Sequence, residues 1–258
     1  MKEFETKKKF GQNFLSDGNL LDAICVDAGV CKDDDVLEIG AGLGSLTTKL
    51  CDNAKKVVSY EIDKDLFEIL GKIDKKNLTF RFKDILEVGL EDIEKDFDGK
   101  YKIVANIPYY ITTPIIFKFL GQSKKVSSLT LMVQKEVAER IVAKEGQKDY
   151  GVLSVCCSLF GDAQIKRIVK RSMFHPAPKV DSAVVRIDLK KEKVEGGLID
   201  FVKNIFAMRR KTLLNNISSA YGFSKEQLQI KLKFDLTKRA ESLSVEKIKE
   251  LYKLLKNI

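Results

Sequence analysis

From residue 35 to about residue 160, short β-branched apolar runs alternate with longer amphipathic stretches. This alternation constrains the fold more than any other feature of the sequence, because parallel strands need crossover connections, which are usually helices. The pattern therefore predicts an α/β fold with a parallel sheet covered by helices on both faces. Thr113 and Pro114 have the order expected of an N-cap and a first-turn proline in one of these helices. We expect strands at residues 36–39, 57–60, 78–82, 101–105, 128–133 and 180–189.

The hydrophobic pattern of the sequence changes after the last of these strands. Apolar residues then recur at helical spacing in the segments LIDFVKNIF, TLLNNI and VEKIKELYKLL. Gly222 can end a helix by adopting positive φ, and Ser224 with Gln227 has capping-box spacing for the next helix. The 258 residues suffice for two domains, and we predict an α/β domain at residues 1–190 and a small all-helical domain at residues 191–258.

Cysteine and histidine usage limits the chemistry open to this chain. The five Cys include no Cys-x-x-Cys pair, and His175 is the single His. A zinc site, a disulfide framework and a Ser-His-Asp hydrolase are therefore disfavoured, and we expect no metal and no catalytic role for His175. No apolar run reaches the roughly 18 residues of a membrane span, and residues 1–9 are charged. These features predict a cytoplasmic protein that does not contact a membrane.

The net charge of +9 is concentrated in the C-terminal quarter of the chain. Residues 186–258 carry 17 basic and 9 acidic side chains, a net charge of +8, which leaves +1 for the rest. A basic surface suits the phosphates of RNA, although a solvated lysine-rich helix face is the alternative interpretation. Arg209, Arg210 and Lys211 are the densest basic run of this region, and we predict that they bind RNA from the outer face of a helix.

The segment VLEIGAGLGSLT at residues 36–47 is the strongest local motif. A buried strand runs into a glycine-rich turn, where missing side chains let a ligand lie against the backbone. Gly40 and Gly42 belong to this turn, and Ser45 replaces the third Gly of the dinucleotide fingerprint. The resulting G-x-G-x-G spacing is typical of class I S-adenosylmethionine (SAM) methyltransferases.

Two carboxylates follow the next two predicted strands. Glu61 lies about 20 residues after the turn, where a carboxylate can accept hydrogen bonds from both ribose hydroxyls of a cofactor. Asp84 is placed to accept from an adenine amino group. Because Gly40, Gly42, Glu61 and Asp84 lie at three successive strand ends, we predict that they form one cofactor site.

The segment Asn106-Ile107-Pro108-Tyr109-Tyr110 directly follows the strand predicted at residues 101–105. It resembles the (Asn/Asp)-Pro-Pro-aromatic segment of amino-methyltransferases. An exocyclic amine on adenine is a poor nucleophile, because its lone pair is delocalised into the ring. The Asn106 side-chain oxygen and the Pro108 carbonyl could hold both N–H groups and aim the lone pair at a sulfonium methyl. We predict that Asn106 and Pro108 are catalytic and that Tyr109 stacks on the target base.

The segment FHPAPKVDS at residues 174–182 contains two prolines that make an extended, rigid loop. Such a loop could hold Phe174 as a second stacking face opposite Tyr109. A base extruded from an RNA loop would then lie between the two rings, each stack contributing about 1 to 3 kcal/mol. Phe174 is therefore a further candidate catalytic residue.

These motifs, with KKFGQNFL, FAMRRKTLLNN and RAESLS, closely resemble the 16S rRNA adenine dimethyltransferase family, within the rRNA adenine N6-methyltransferases. The matches run from about residue 7 to residue 244 in the family's order. The resemblance implies a Rossmann-like class I SAM-dependent methyltransferase domain with a helical domain that binds RNA or the ribosome. It implies dimethylation of two adjacent adenosines near the 3′ end of small-subunit rRNA during ribosome biogenesis.

The resemblance also implies a set of cofactor contacts and a partner. In the basic N-terminal segment at residues 1–15, Asn13 and Leu15 would contact SAM. Gly40, Glu61, Asp84 and Asn106 would complete the contacts, so that Asn106 touches both substrates. The expected partner is the rRNA of an assembling small ribosomal subunit, bound by a monomer.

Two other functions remain open at this point. Erm-type enzymes methylate one adenosine of 23S rRNA, and they usually continue Asn-Ile-Pro-Tyr with Asn or His and then Ile-Ser-Thr-Asp. This chain has Tyr-Ile-Thr-Thr-Pro at residues 110–114, as the small-subunit enzymes do. A non-catalytic rRNA-binding assembly factor is the other alternative, although intact Glu61, Asp84, Asn106 and Tyr109 favour catalysis.

Overall fold

The structure is a computed structural model that describes residues 14–190 and 194–258, which form two compact units. The first unit comprises residues 14–138 and 162–190. The second unit comprises residues 139–161 and 194–258. The second unit therefore draws on two separate stretches of the chain.

This division differs from the single boundary that the sequence predicts near residue 190. Residues 139–161 precede that boundary, yet they belong to the second unit. The reason is the packing of α7 (Val152–Phe160) against α8 (Leu198–Ile205) and α11 (Val245–Lys256). The apolar pattern of α7 predicts burial, but it does not specify which helices cover it.

A seven-stranded sheet forms the centre of the first unit. Its strands are β2 (Asp35–Ile39), β3 (Lys56–Tyr60), β4 (Leu78–Arg81), β5 (Tyr101–Asn106), β6 (Val126–Gln134), β7 (Gly161–Val169) and β9 (Ser182–Leu189). Their order across the sheet is β4-β3-β2-β5-β6-β9-β7. Strands β2 to β6 pair in parallel, and β9 pairs antiparallel with β6. A separate antiparallel pair joins β1 (Phe14–Leu15) to β8 (Phe174–His175).

Helices alternate with the strands along the chain, as the sequence pattern predicts. They are α1 (Gly18–Asp27), α2 (Ser45–Asn53), α3 (Phe67–Leu70), α4 (Leu90–Glu94) and α5 (Thr112–Phe119), followed by α6 (Lys135–Val142). Val36, Val57 and Val104 of three neighbouring strands are fully buried. They form one apolar core with Ile24 of α1 and Leu50 of α2. The predicted α/β fold and its six predicted strands are confirmed.

The order of strands positions a binding crevice. The chain runs outward from β2 through β3 to β4, and then returns to place β5 on the other side of β2. The connections that leave β2 and β5 therefore diverge. In open parallel sheets, ligands bind outside the carboxyl ends of the strands at such a reversal.

The sequence interpretation missed three strands and misplaced one helix start. The edge strand β7 alternates exposed and half-buried residues along GDAQIKRIV, so it lacks the apolar run that marks an interior strand. Strands β1 and β8 have two residues each, too few for a pattern. Helix α5 begins at Thr112 with Ile111 at the N-cap, so the prediction of Thr113 as the cap is wrong. A 3-10 turn at Tyr109–Ile111 runs directly into this helix.

The second unit is helical, as predicted. Besides α7, α8 and α11, it contains α9 (Leu213–Tyr221) and α10 (Lys225–Lys231). Gly222 ends α9 with φ of +74°, and Ser224 and Gln227 form the predicted capping box of α10. Phe201 and Ile248 are fully buried in this unit. Across the described ranges, none of the helices is both long and apolar enough to cross a membrane.

Candidate active site

A cavity of about 230 Å³ lies at the carboxyl ends of the strands in the first unit. Most of the predicted cofactor and catalytic residues line it: Leu15, Gly40, Gly42, Glu61, Asp84, Asn106, Pro108 and Tyr109. Asn13, also predicted to contact the cofactor, lies outside the described residues. The sequence motifs that follow successive strands are thus brought together in one place.

The glycine-rich turn forms one wall of this cavity. Gly40 has φ of +81° and Gly42 has φ of +55°, which is a region that favours glycine. A Cβ atom at Gly40 would lie 3.4 Å from the backbone oxygen of Asn106. A Cβ at Gly42 would lie 3.2 Å from the Phe14 ring. A side chain at either position would therefore press against another residue of the cavity wall.

Glu61 is 7% exposed and is held by three backbone N–H groups. Gly42 donates to Oε2 at 2.9 Å, and Ile62 and Asp63 both donate to Oε1 at 2.8 Å. Burial raises the pKa of Glu61, and the three hydrogen bonds oppose that rise. A carboxylate offers about four acceptor directions, so about one remains for a ligand hydroxyl. If Glu61 accepts hydrogen bonds from both ribose hydroxyls, as the sequence predicts, one of the three backbone N–H groups must lose its hydrogen bond to the carboxylate.

Glu38 is a buried carboxylate beneath the turn that the sequence interpretation did not single out. Thr47 and Ser59 each donate a hydroxyl hydrogen bond to Oε2 at 2.6 Å. Its other oxygen, Oε1, has no hydrogen-bond partner among the described residues. Burial raises the pKa of Glu38 to about 7, the two hydroxyls oppose the rise, and the charge of Glu61 adds to it. Glu38 is therefore poised to titrate near neutral pH.

Asp84 lines the cavity and is half-buried. Its Oδ1 accepts a hydrogen bond from the backbone N–H of Leu86 at 2.8 Å. The Lys118 side chain of α5 donates to the carbonyls of Leu86 and Val88, at 3.2 and 2.7 Å. Burial lowers the pKa of Lys118, and the charge of Asp84 opposes that effect. The loop that carries Asp84 is thus fixed to the helix that follows the Asn-Ile-Pro-Tyr segment.

Asn106, Pro108 and Tyr109 are half-buried residues at the end of β5. The Pro108 carbonyl accepts a hydrogen bond from the Ile111 N–H at 3.1 Å, which leaves one of its two lone pairs for a substrate N–H. The Tyr109 hydroxyl lies 2.7 Å from the Ser182 hydroxyl. Burial raises the pKa of Tyr109, and the Ser182 hydrogen bond opposes the rise. The phenol is therefore neutral over the physiological pH range.

Phe174 occupies a different place from the one that the sequence predicts. Its side chain is 5% exposed and belongs to the apolar core that contains Leu15. It is not among the residues that line the cavity. Leu15 of β1 pairs with Phe174 of β8, and this pairing places the Phe174 side chain in the core beside Leu15. In this structure Phe174 packs in the core and does not offer an open stacking face.

Three aromatic residues that line the cavity were missed from the sequence: Phe14, Tyr60 and Tyr110. Phe14 lines it beside Gly42, and only its position between Asn13 and Leu15 could have indicated this. Tyr110 is 66% exposed at the cavity, directly after Tyr109. It is the second tyrosine of the Asn-Ile-Pro-Tyr-Tyr segment, and the sequence interpretation used only the first.

The basic run of the second unit lies on a loop, so the prediction that it lies on a helix is wrong. Arg209, Arg210 and Lys211 are exposed between α8 and α9. The buried Asn216 accepts from the Met208 N–H at 3.0 Å and donates to the Met208 carbonyl at 3.3 Å, which fixes the loop. The Arg209 guanidinium donates to the Lys148 carbonyl at 2.9 Å. Phe206 and Leu213, on either side of the run, are buried, but the chain between them is not helical.

The sheet order, the glycine-rich turn after β2 and the Asn-Ile-Pro-Tyr segment after β5 define a Rossmann-like class I methyltransferase. A sequence profile of the family described as ribosomal RNA adenine dimethylase matches residues 3–257. The chain belongs to this family of methyltransferases, and the resemblance predicted from the motifs is confirmed.

Similar proteins cover almost the whole chain. The "Ribosomal RNA small subunit methyltransferase A" of Clostridium acetobutylicum is 40% identical over 272 residues, covering 97% of this chain and 98% of that protein. The protein of the same name from Caldanaerobacter subterraneus is 43% identical over 262 residues, covering 96% of each.

Two solved structures share the fold over both units. The crystal structure of a dimethyladenosine transferase from Plasmodium falciparum has a TM-score of 0.79 and 27% identity, covering 95% of this chain and 98% of that one. The crystal structure of the 23S rRNA methyltransferase ErmE has a TM-score of 0.70 and 26% identity, covering 95% of this chain and 100% of that one. The predicted fold class is thereby confirmed.

Proposed function

We propose that this chain transfers methyl groups from SAM to two adjacent adenosines near the 3′ end of small-subunit rRNA and produces N6,N6-dimethyladenosine. One observation carries the proposal: a single cavity is lined by Glu61, Asp84, Asn106, Pro108 and Tyr109. Carboxylates for a nucleoside cofactor and acceptors for an amine thus face the same space. The relatives named as small-subunit methyltransferases, at 40% and 43% identity, support rRNA of that subunit as the substrate.

The residues of the cavity fit SAM. The turn at Gly40 and Gly42 lines the cavity with backbone that carries no side chain, and the buried Glu61 keeps an acceptor direction for a ribose hydroxyl. Asp84 would accept from the adenine amino group, and Leu15 supplies apolar contact. When bound, SAM supplies an electrophilic methyl group on a sulfonium sulfur. Asn13 and Asn106 are further proposed cofactor contacts.

The chain's own residues would orient the target amine. The Asn106 side-chain oxygen and the free lone pair of the Pro108 carbonyl would accept the two N–H groups of the adenosine amine. This arrangement favours a pyramidal nitrogen with a directed lone pair, so orientation supplies much of the catalysis. The ring of Tyr109 would stack on the target base and contribute about 1 to 3 kcal/mol.

We further propose that the loop carrying Arg209, Arg210 and Lys211 binds rRNA phosphates in an assembling small subunit, with the protein acting as a monomer. All three side chains are exposed on a loop that buried residues hold in place. Replacing all three with Ala should flatten the salt dependence of subunit binding by about 0.7 to 0.9 in log–log slope for each phosphate that is no longer neutralised. The matched control is a second triple variant that replaces three other exposed lysines of the same unit with Ala: Lys225, Lys231 and Lys233. A salt slope for the loop variant equal to that of the wild type would remove this loop from the RNA-binding surface.

The direct test of the reaction is nucleoside analysis of small-subunit rRNA after incubation with the protein and SAM. The proposal predicts N6,N6-dimethyladenosine at two adjacent positions near the 3′ end. The similarity to ErmE supports a second candidate, methylation of a single adenosine in 23S rRNA. A modified nucleoside found only in 23S rRNA would favour that candidate, and no modified nucleoside in either rRNA would favour a non-catalytic assembly factor.

A further inference from the structure

A hydrogen bond links the proposed stacking residue to the central sheet. The Tyr109 hydroxyl and the Ser182 hydroxyl are 2.7 Å apart, although the two residues are 73 positions apart in the chain. Tyr109 lies on the 3-10 turn after Pro108 and lines the cavity. Ser182 begins β9, is fully buried and does not itself line the cavity. Any effect of Ser182 on the target base would therefore act through Tyr109.

Ser182 has a rigid backbone position. It pairs with Gln134 at the end of β6, and the carbonyl of the preceding Asp181 accepts from the Lys135 N–H at 3.0 Å. The Asp181 carboxylate accepts from the Arg171 N–H at 3.0 Å. The Ser182 hydroxyl is therefore held in place by the backbone around it. Without a hydrogen bond to this hydroxyl, the Tyr109 side chain could rotate about its torsions.

We propose that Ser182 is a positioning residue, whose hydroxyl anchors the phenol end of Tyr109 and so keeps the ring at the place where the target adenine stacks. This inference rests on the proposed function, in which Tyr109 is the stacking face. A ring that is already oriented loses less conformational entropy when the base arrives. Removing the Ser182 hydroxyl should therefore slow methyl transfer and leave the cofactor site unchanged.

The test is a double-mutant cycle with Ser182→Ala, Tyr109→Phe and the double variant. Single-turnover methylation of small subunits at saturating SAM gives the rate, and calorimetry gives the SAM affinity. Each single substitution should lower the rate by about tenfold, since each removes the same hydrogen bond. The double variant should be no slower than the slower single variant, and SAM affinity should stay within about twofold of the wild type. Ser182→Thr, which keeps a hydroxyl, should recover most of the rate.

Ser128→Ala is the matched control. Ser128 is a buried serine of the adjacent strand β6, and its hydroxyl has no hydrogen-bond partner among the described residues. Ser128→Ala should therefore methylate at the wild-type rate.

Two results would overturn the inference while leaving the proposed function intact. One is a wild-type rate for Ser182→Ala. The other is a Ser182→Ala substitution that lowers the methylation rate by the same factor in the wild type and in Tyr109→Phe. That result would make Ser182 a packing residue. A wild-type protein that methylates no rRNA would instead overturn the proposed function, and the positioning role with it.

Discussion

The Oε2 atom of Glu61 accepts a hydrogen bond from the backbone N–H of Gly42 at 2.9 Å. This contact ties the end of β3 to the glycine-rich turn that follows β2. Glu61 therefore shapes the wall of the cavity as well as offering an acceptor to a ligand. Substitutions at Glu61 should affect both the turn and cofactor binding.

Glu61→Ala should weaken SAM binding tens- to a hundredfold, which corresponds to about 2 to 3 kcal/mol for the loss of a charged acceptor. It also leaves three backbone N–H groups without their acceptor, so the unfolding midpoint should fall as well. Calorimetry measures the affinity of the folded protein. Asp63→Asn, which neutralises a neighbouring carboxylate outside the cavity lining, is the control and should bind SAM normally. Normal affinity in Glu61→Ala would exclude Glu61 from the cofactor site.

Asn106→Ala should lower the methylation rate by about 10² or more, because it removes a preorganised acceptor at the reacting amine. Single-turnover kinetics at saturating SAM separate this effect from the weaker cofactor binding that we also expect. Asn106→Asp keeps a side-chain acceptor and should retain more activity than Asn106→Ala. A near-wild-type rate in Asn106→Ala would refute the orienting role.

Phe174→Leu distinguishes packing from stacking. Because Phe174 is buried in the core, we expect a stability loss of about 1 to 2 kcal/mol with little change in the methylation rate of the folded protein. Thermal unfolding and methylation assays on the same preparation check both quantities. Phe97→Leu, at another buried aromatic residue of the first unit, should behave in the same way. If the Phe174→Leu variant methylates slowly but unfolds at the wild-type midpoint, the result would instead support the stacking role that the sequence predicts.

Glu38 should make stability depend on pH. Burial raises its pKa in the folded protein from the ordinary 4.5 to about 7. The folded state therefore binds the proton more tightly, and this contribution to stability is present below pH 4.5 and lost as the pH rises to about 7. Glu38→Gln cannot ionise, so its unfolding midpoint should rise relative to wild type between about pH 5 and about pH 8.

The exposed carboxylate variant Glu87→Gln is the control for this pH series. Its midpoint should follow the wild type at every pH. A constant offset between Glu38→Gln and wild type across the series would show that Glu38 titrates in its ordinary range.

Much of the site follows from sequence because parallel strands end at a common edge. Glu61 and Asp84 could be predicted to face the glycine-rich turn, since Glu61 directly follows β3 and Asp84 lies in the loop after β4. Asn106 was predictable for the same reason. Gly222 and the capping box at Ser224 were predictable because their effects are local.

The features that sequence reasoning missed depend on contacts between distant segments. Phe174 is buried because β8 pairs with β1, and neither two-residue strand has a pattern of its own. The membership of α7 in the second unit depends on which helices cover its apolar face. The bond between Tyr109 and Ser182 joins two motifs whose spacing in the chain carries no signal of contact.

The proposed activity and its substrate can be tested together by transfer of labelled methyl groups from SAM to three substrates in parallel. These are unmethylated small subunits, large subunits and naked rRNA. We expect small subunits to be labelled fastest, with the label in N6,N6-dimethyladenosine. Equal or faster labelling of large subunits would contradict the proposed substrate, and no labelling of any of the three would contradict the proposed activity.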